Sequence, residues 1–174
     1  THLDTLEMDG PNNAESPLLR LINGASCTLS TTTSPFRALE LGSLEHAEIH
    51  VESGSNFGVA NGDSVLGVLA GSLGILQYIG SSTGSFDANK TLTLGRAGHG
   101  GMLVSTGCDV NAGDVTLGEL AGGDGSLIIS GTGARMDLTG NLYVGGTSSA
   151  SGGTGSVTVG PGGTLALLGI NAED

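Results

Sequence analysis

One five-point pattern of apolar residues and glycine recurs along this chain and most constrains its fold. The pattern is an apolar pair with one residue between its members, a glycine three residues later, and a second such pair three residues after the glycine. Its first copy is Leu19/Leu21, Gly24 and Cys27/Leu29. Alternate residues of a β-strand face the same side, and glycine permits the backbone angles of a tight corner. Each copy therefore predicts two short strands that meet at a corner.

Further copies of the pattern follow at intervals along the chain. Three of them keep the spacing of the first copy: Ile49/Val51 to Phe57/Val59, Met102/Val104 to Val110/Ala112, and Val157/Val159 to Leu165/Leu167. Two others are lengthened, by one residue between Leu127/Ile129 and Met136/Leu138, and by two residues between Leu76/Tyr78 and Phe86/Ala88. The recurrence indicates a repeat protein in which each copy contributes to one turn.

A second, shorter signature precedes each copy and sets the length of the repeat. It is a strand-like run usually closed by glycine, and its instances are LEMD (6–9), LELG (39–42), SVLG (64–67), LTLG (92–95), VTLG (115–118) and LYVG (142–145). Between last apolar residues, the longest step is 33, from Met8 to Leu41, and the shortest is 23, from Leu94 to Leu117. Repeats of this length with variable insertions are typical of solenoids.

These patterns predict an all-β fold, a β-solenoid of about six turns with three short strands per turn. Only 3% of the residues are aromatic and none is Trp, which favours a thin core. We expect one domain over residues 1–174, with a divergent first turn at 1–36, regular turns at 37–168 and a C-terminal tail at 169–174. Residues 16–24 also fit a helix beginning after Ser16, but the repeat pattern favours a strand.

The most regular units resemble a known class of repeats. LTLGRAGHGGMLVSTGCDV, VTLGELAGGDGSLIISGTGARM and LYVGGTSSASGGTGSVTVGPGGTL are similar to the β-helix repeats of bacterial autotransporter passengers, especially those of the PEP-CTERM-associated class. The resemblance covers residues 37–168 well and residues 1–36 loosely. It implies a right-handed parallel β-helix displayed on, or released from, a cell surface, and it implies no particular activity.

Charge and cysteine content narrow the partners. The net charge of -12 repels nucleic acids and anionic membrane surfaces, so we expect neither of them as a partner. No apolar run is long enough to span a bilayer, so we expect no membrane insertion. The chain begins at Thr1, and we expect a processed product or an excised piece of a longer protein. The two cysteines, Cys27 and Cys108, fall in non-adjacent turns, so we expect them to be buried and unbonded.

Two groups of residues are weak metal candidates. His46, Glu48 and His50 form one outward row if Ile49 and Val51 point inward, although residues two apart on a strand are nearly 7 Å from each other. Asp124, in the glycine-rich run at 121–129, and Asp63 are calcium candidates, but a plain corner is the favoured interpretation of Asp124. We expect no cofactor.

We expect no enzyme activity and a structural role outside the cell. The five basic residues are scattered without an obvious cluster of acids, and Thr91/Thr93 and Thr31/Thr33 do not recur as an ice-binding array would. Because a β-helix has two open ends, the leading hypothesis is a cell-surface filament subunit that assembles head-to-tail with copies of itself, using Leu6 and Met8 at one edge and Leu165 and Leu167 at the other. The alternative is an adhesin passenger that binds a glycan or host surface.

Overall fold

The computed structural model describes residues 2–3, 6–8, 17–30 and 37–169, with side chains from residue 17 onward. In this part the chain forms nineteen strands and no helix. All pairings between these strands are parallel, and the chain visits three sheets in strict rotation. The prediction of an all-β parallel β-solenoid with three short strands per turn is confirmed.

Each sheet collects every third strand of the chain. Sheet 1 contains β1 (His2–Leu3), β4 (Ser26–Ser30), β7 (Asn56–Ala60), β10 (Thr83–Phe86), β13 (Asp109–Ala112), β16 (Ala134–Leu138) and β19 (Gly163–Leu167). Sheet 2 contains β2 (Leu6–Met8), β5 (Arg37–Leu41), β8 (Asp63–Leu66), β11 (Thr91–Leu94), β14 (Asp114–Leu117) and β17 (Leu142–Val144). Sheet 3 contains β3 (Leu18–Leu21), β6 (His46–Glu52), β9 (Leu73–Ile79), β12 (His99–Val104), β15 (Asp124–Ile129) and β18 (Thr154–Val159).

Five turns are described without a gap. From residue 37 to residue 169, β5 to β19 supply three strands for each of these turns. Strands β1 to β4 stack on the same three sheets at the N-terminal end. The predicted total of about six turns includes segments outside the described residues. Most of the predicted tail, residues 170–174, also lies outside them.

The strand register confirms the alignment of the repeats. In sheet 3, Ile49 lies between Leu19 and Leu76, and Met102 lies between Leu76 and Leu127. The apolar pairs therefore stack from turn to turn, and those of the central turns are buried in one continuous core, against which the pairs of the end turns pack partly buried or exposed. The core is thin because each turn contributes only a few side chains of Leu, Val, Ile and Ala size.

One part of the repeat alignment is wrong. The copy that begins at Leu76/Tyr78 is not lengthened, because Gly84 and Phe86 pair with Phe57 and Val59 of the preceding turn. Gly84 occupies a position that is apolar in the other copies. A Cβ atom at Gly84 would lie 2.6 Å from Cζ of Tyr78, whose ring fills that space. The inward position of Gly84 therefore has no side chain because the ring of the inward Tyr78 fills the space that a side chain would need.

Tyr78 is fully buried and its hydroxyl is satisfied. The hydroxyl donates a hydrogen bond to the carbonyl oxygen of Phe57 at 3.1 Å. Burial raises the pKa of the Tyr78 phenol above its ordinary value, because the phenolate would lose its hydration. The neutral phenol is therefore part of the core.

The glycines that close β5, β8, β11 and β14 in sheet 2 are required by close packing between turns. Gly67 has a positive φ of 67°, and a Cβ atom there would lie 2.3 Å from the carbonyl oxygen of His99. The corner glycine Gly54 has a similar φ of 73°, but no atom lies within 4 Å of its Cβ position. Ser81 takes the equivalent corner position in the next turn, with φ 62°. At Gly54, glycine is therefore favoured only by the positive φ. At Gly67, it is favoured by the positive φ and also by the lack of space for a Cβ atom.

The cysteines lie as predicted. Cys27 is in β4, Cys108 directly precedes β13, and two strands of sheet 1 separate these turns. Both are buried free thiols, and burial raises the pKa of Cys27. Among the residues that the structure describes, none forms a helix long and apolar enough to cross a membrane.

Candidate functional site

The predicted polar row on β6 is present. Ala47, Ile49 and Val51 are buried, and His46, Glu48, His50 and Glu52 alternate with them on the outer face. Glu48 lies between the two histidines: its Oε1 is 2.8 Å from His46 Nε2 and its Oε2 is 2.7 Å from His50 Nε2. Both carboxylate oxygens are thus already engaged within the row.

An arginine from the preceding turn extends this row. Arg20 pairs with Glu52 through Nε and Nη2, with its shortest contact at 2.8 Å. Hydrogen bonding from Arg20 lowers the pKa of Glu52 below its ordinary value. The row is therefore a series of close polar contacts on the outer face of sheet 3, which ends in the Arg20–Glu52 ion pair.

The two aspartates proposed for calcium lie in different sheets. Asp124 is the first residue of β15 rather than a corner residue, and its Oδ2 lies 3.2 Å from Nδ1 of His99 in the turn before. Asp63 begins β8, and its Oδ1 accepts a hydrogen bond from the Thr91 backbone N–H at 2.9 Å. Within the described residues, no three His, Cys, Asp or Glu side chains are grouped to hold a metal ion.

A groove runs along the outer face of sheet 2 in the described part of the chain. Its floor contains the middle residues of three strands, Val65, Thr93 and Thr116, which are in register with one another and then with Tyr143. Because their neighbours Leu92, Leu94, Val115 and Leu117 point into the core, these residues point outward. They are nevertheless only 3%, 5% and 4% exposed, respectively. The groove walls therefore rise above the sheet, and the recess has a volume of about 350 Å³.

One wall of the groove consists of the first residues of the sheet-2 strands. Arg37, Asp63, Thr91 and Asp114 follow one another from turn to turn. Asp114 repeats the arrangement of Asp63, because its Oδ1 accepts a hydrogen bond from the Asn141 backbone N–H at 2.7 Å. Each carboxylate is thus fixed by the next turn through one of its oxygens.

The groove also contains two arginines, each paired with an acid. Arg37 Nη1 contacts Glu40 Oε1, and Arg96 Nε lies 3.6 Å from Glu119 Oε2 on the other wall. Arg20 and Arg135 likewise pair with Glu52 and Asp137. Each of the four arginines therefore has one acidic partner. Glu40 and Asp137 are on the same strands as their arginines and are close to them in sequence. Glu52 and Glu119 are one turn away from theirs, so spacing along the chain does not indicate those two pairs.

The sequence contained a signal for this groove. Asp63, Thr91 and Asp114 each directly precede the first inward residue of a sheet-2 strand, so an alignment on those strands places them in one column. Thr91 and Thr93, which do not recur as an ice-binding array would, line the groove. Thr31 and Thr33 lie outside the described residues. No sequence pattern indicated that walls would enclose this column.

The predicted assembly edges are end strands in their sheets. β19, with Leu165 and Leu167, pairs only with β16, and β2, with Leu6 and Met8, pairs only with β5 among the described strands. Whereas Leu142, Val157 and Leu165 are partly buried against the core, three inward residues of the last turn are strongly exposed: Val144 by 53%, Val159 by 47% and Leu167 by 40%. Their partners one turn earlier, Leu117, Ile129 and Leu138, are all 0% exposed.

No family model matches this chain, and neither a curated protein nor a solved structure matches it. The similarity of the repeats to autotransporter passengers thus stays a prediction from the sequence motifs.

Proposed function

We propose that this chain is a non-enzymatic structural segment of an extracellular or cell-surface fibre. In this proposal about six turns of a right-handed β-helix form a rod that lengthens head-to-tail through its ends. The location outside the cell is supported by the resemblance of the repeats. The head-to-tail contact is supported by the structure of the last turn.

The exposed core at the C-terminal end carries the proposal. Three inward positions lose their cover between one turn and the next, since the partners of Val144, Val159 and Leu167 are completely buried. Covering such side chains removes apolar surface from water, which is worth about 25 cal/mol per Å². Another turn of the same kind, supplied by a second copy, would cover them and would pair with the free edges of β17, β18 and β19.

The order of the strands suits this contact. The first three strands lie in sheets 1, 2 and 3, and the last three lie in sheets 2, 3 and 1. Stacking β1, β2 and β3 of one copy on β19, β17 and β18 of another would continue all three sheets in parallel. Such a heterologous contact does not close on itself, so it produces a filament.

Lysine substitutions in the last turn test the assembly. Leu167→Lys and Val159→Lys place a charge on exposed inward positions of the contact surface, so we expect short monodisperse rods, whereas the parent chain should form filaments in negative-stain microscopy. Thr164→Lys and Thr158→Lys are matched controls, because these neighbouring residues are exposed on the outer faces of the same strands; they should leave filaments intact. Thermal unfolding of each variant verifies that the turn is folded. A parent chain that stays a short rod at tens of micromolar would refute the proposal.

A glycan- or surface-binding passenger is the second candidate. The observation that favours it is the groove on the outer face of sheet 2, which lies on the side of the rod. Binding there is compatible with filament formation, because the groove uses the outer face of the sheet, whereas the filament contact uses the edge of β17 and the inward side chains of the last turn.

A further inference from the structure

We propose that the groove on sheet 2 binds a neutral oligosaccharide that lies along the axis of the rod. This inference deepens the second candidate function and does not depend on end-to-end assembly. The floor from Val65 to Tyr143 spans four strands, so with about 4.8 Å between strands its length is about 14 Å. A short chain of linked rings fits such a recess better than a single small molecule.

The charges in the groove favour a ligand without net charge. Asp63, Asp114 and Glu119 are acidic, Arg37 and Arg96 are basic, and both arginines are already paired with glutamates. An anion would approach guanidinium groups whose charge is compensated, in a protein whose net charge is -12. Sugar hydroxyls donate to carboxylates and accept from guanidinium and hydroxyl groups, so a mixed lining of this kind satisfies them.

Two other ligand classes fit the geometry less well. Asp63 and Asp114 are on β8 and β14, with β11 between them, so their backbones are about 10 Å apart. A calcium ion needs several oxygen atoms within about 2.6 Å, and this pair alone cannot supply them. An extended peptide usually binds by adding to a free sheet edge, but the strands at the floor, β8, β11 and β14, are paired on both sides.

Thr93, Thr116 and Tyr143 are the groups that would contact the sugar. The two threonines lie in the floor, and Tyr143 adds an aromatic ring in the next turn, against which the apolar face of a sugar ring can pack. Asp63 and Asp114 are held in place by backbone N–H groups, which limits the entropy lost on binding.

The test uses the full chain and six-residue neutral oligosaccharides with β-1,4-linked glucose, α-1,4-linked glucose, β-1,4-linked mannose and β-1,4-linked N-acetylglucosamine. Isothermal titration calorimetry should detect saturable binding of at least one of them. The double variant Thr93→Val/Thr116→Val removes both hydroxyls at nearly constant volume, and it should weaken that binding tenfold or more. Thr158→Val, on the outer face of sheet 3, is the matched control and should leave the affinity unchanged.

Several results would overturn the inference. They are the absence of binding for all four oligosaccharides, equal affinity of the double variant and the parent, binding only of oligogalacturonate or of calcium ions, and cleavage of the bound sugar. Microscopy of the parent chain, carried out beside the calorimetry, separates this test from the previous one. If the parent binds sugar but stays a short rod, only the assembly proposal fails. If the parent forms filaments but binds no sugar, only the groove proposal fails.

Discussion

Tyr78 and Gly84 illustrate how single residues are matched across a turn of this solenoid. Tyr78 is the largest fully buried side chain of the described core, although most inward positions hold Leu, Val or Ile. It fits because Gly84, the inward residue of the following strand, leaves its own position empty. A core this thin cannot absorb extra volume by small shifts, because the opposite sheet lies directly behind.

At this scale we predict that Gly84→Ala is destabilising. The new methyl group would lie within 3 Å of the Tyr78 ring, so the free energy of unfolding should fall by about 1–3 kcal/mol, as in other overpacked cores. Gly101→Ala is the control, because its Cβ would meet only Ile75 Cγ1 at 4.0 Å; its effect should be below about 1 kcal/mol. Urea denaturation measures both. Adding Tyr78→Leu should recover part of the loss, and a double variant whose losses simply add would contradict the pairing.

At the scale of the strand and its turns, glycine is needed at strand ends and at corners for different physical reasons. Four of the glycines that close sheet-2 strands lie against carbonyl groups of the next turn, whereas the corner glycines Gly24 and Gly54 face open space. Ser81 likewise takes a corner position with a positive φ. The close approach accounts for glycine after the strands LELG, SVLG, LTLG and VTLG.

We therefore predict unequal effects of alanine at two glycines with nearly equal φ. Gly54→Ala should cost about 1–2 kcal/mol, from the left-handed backbone angle alone. Gly67→Ala should cost about 3 kcal/mol or more, because the carbonyl oxygen of His99 must also move. Chemical denaturation of the two variants side by side checks the difference, and equal losses would show that close approach does not matter at Gly67.

At the scale of the whole molecule, stability depends on the number of neighbouring turns. Strand β12 pairs with β9 and β15, whereas β18 pairs with β15 alone in the described part. The inward residues of β12 are buried, and those of β18 are partly exposed. Repeat proteins with nearest-neighbour contacts unfold most readily from their ends.

Hydrogen exchange should show this gradient along the rod. In a monodisperse sample, the amides of β18 should exchange at least tenfold faster than those of β12, which corresponds to about 1.4 kcal/mol less protection. Mass spectrometry of peptides that cover the two strands measures the ratio. In filaments, the exchange of β18 should slow toward that of β12. Equal protection of the two strands in short rods would contradict a nearest-neighbour description.

The sequence by itself determined the architecture of the chain. Its apolar pairs specified which residues face inward, and the repeat step specified which residues stack, because each turn of a solenoid is folded from local sequence and contacts only its neighbours. The register of Leu19, Ile49 and Leu76 and the outward row from His46 to Glu52 followed directly. The alignment was wrong only where Gly84 replaces an apolar residue, since its partner Tyr78 is identified by contact and not by spacing.

Only the tertiary structure decided where ligands and partners can bind. Val65, Thr93 and Thr116 are outward-facing residues by any strand pattern, yet they are buried, because walls formed by side chains of several turns rise on both sides. The arginine–carboxylate pairs and the exposed inward positions of the last turn also depend on distances across turns. Spacing along a chain predicts which face a residue occupies, but the depth of a surface is a property of the packed turns together.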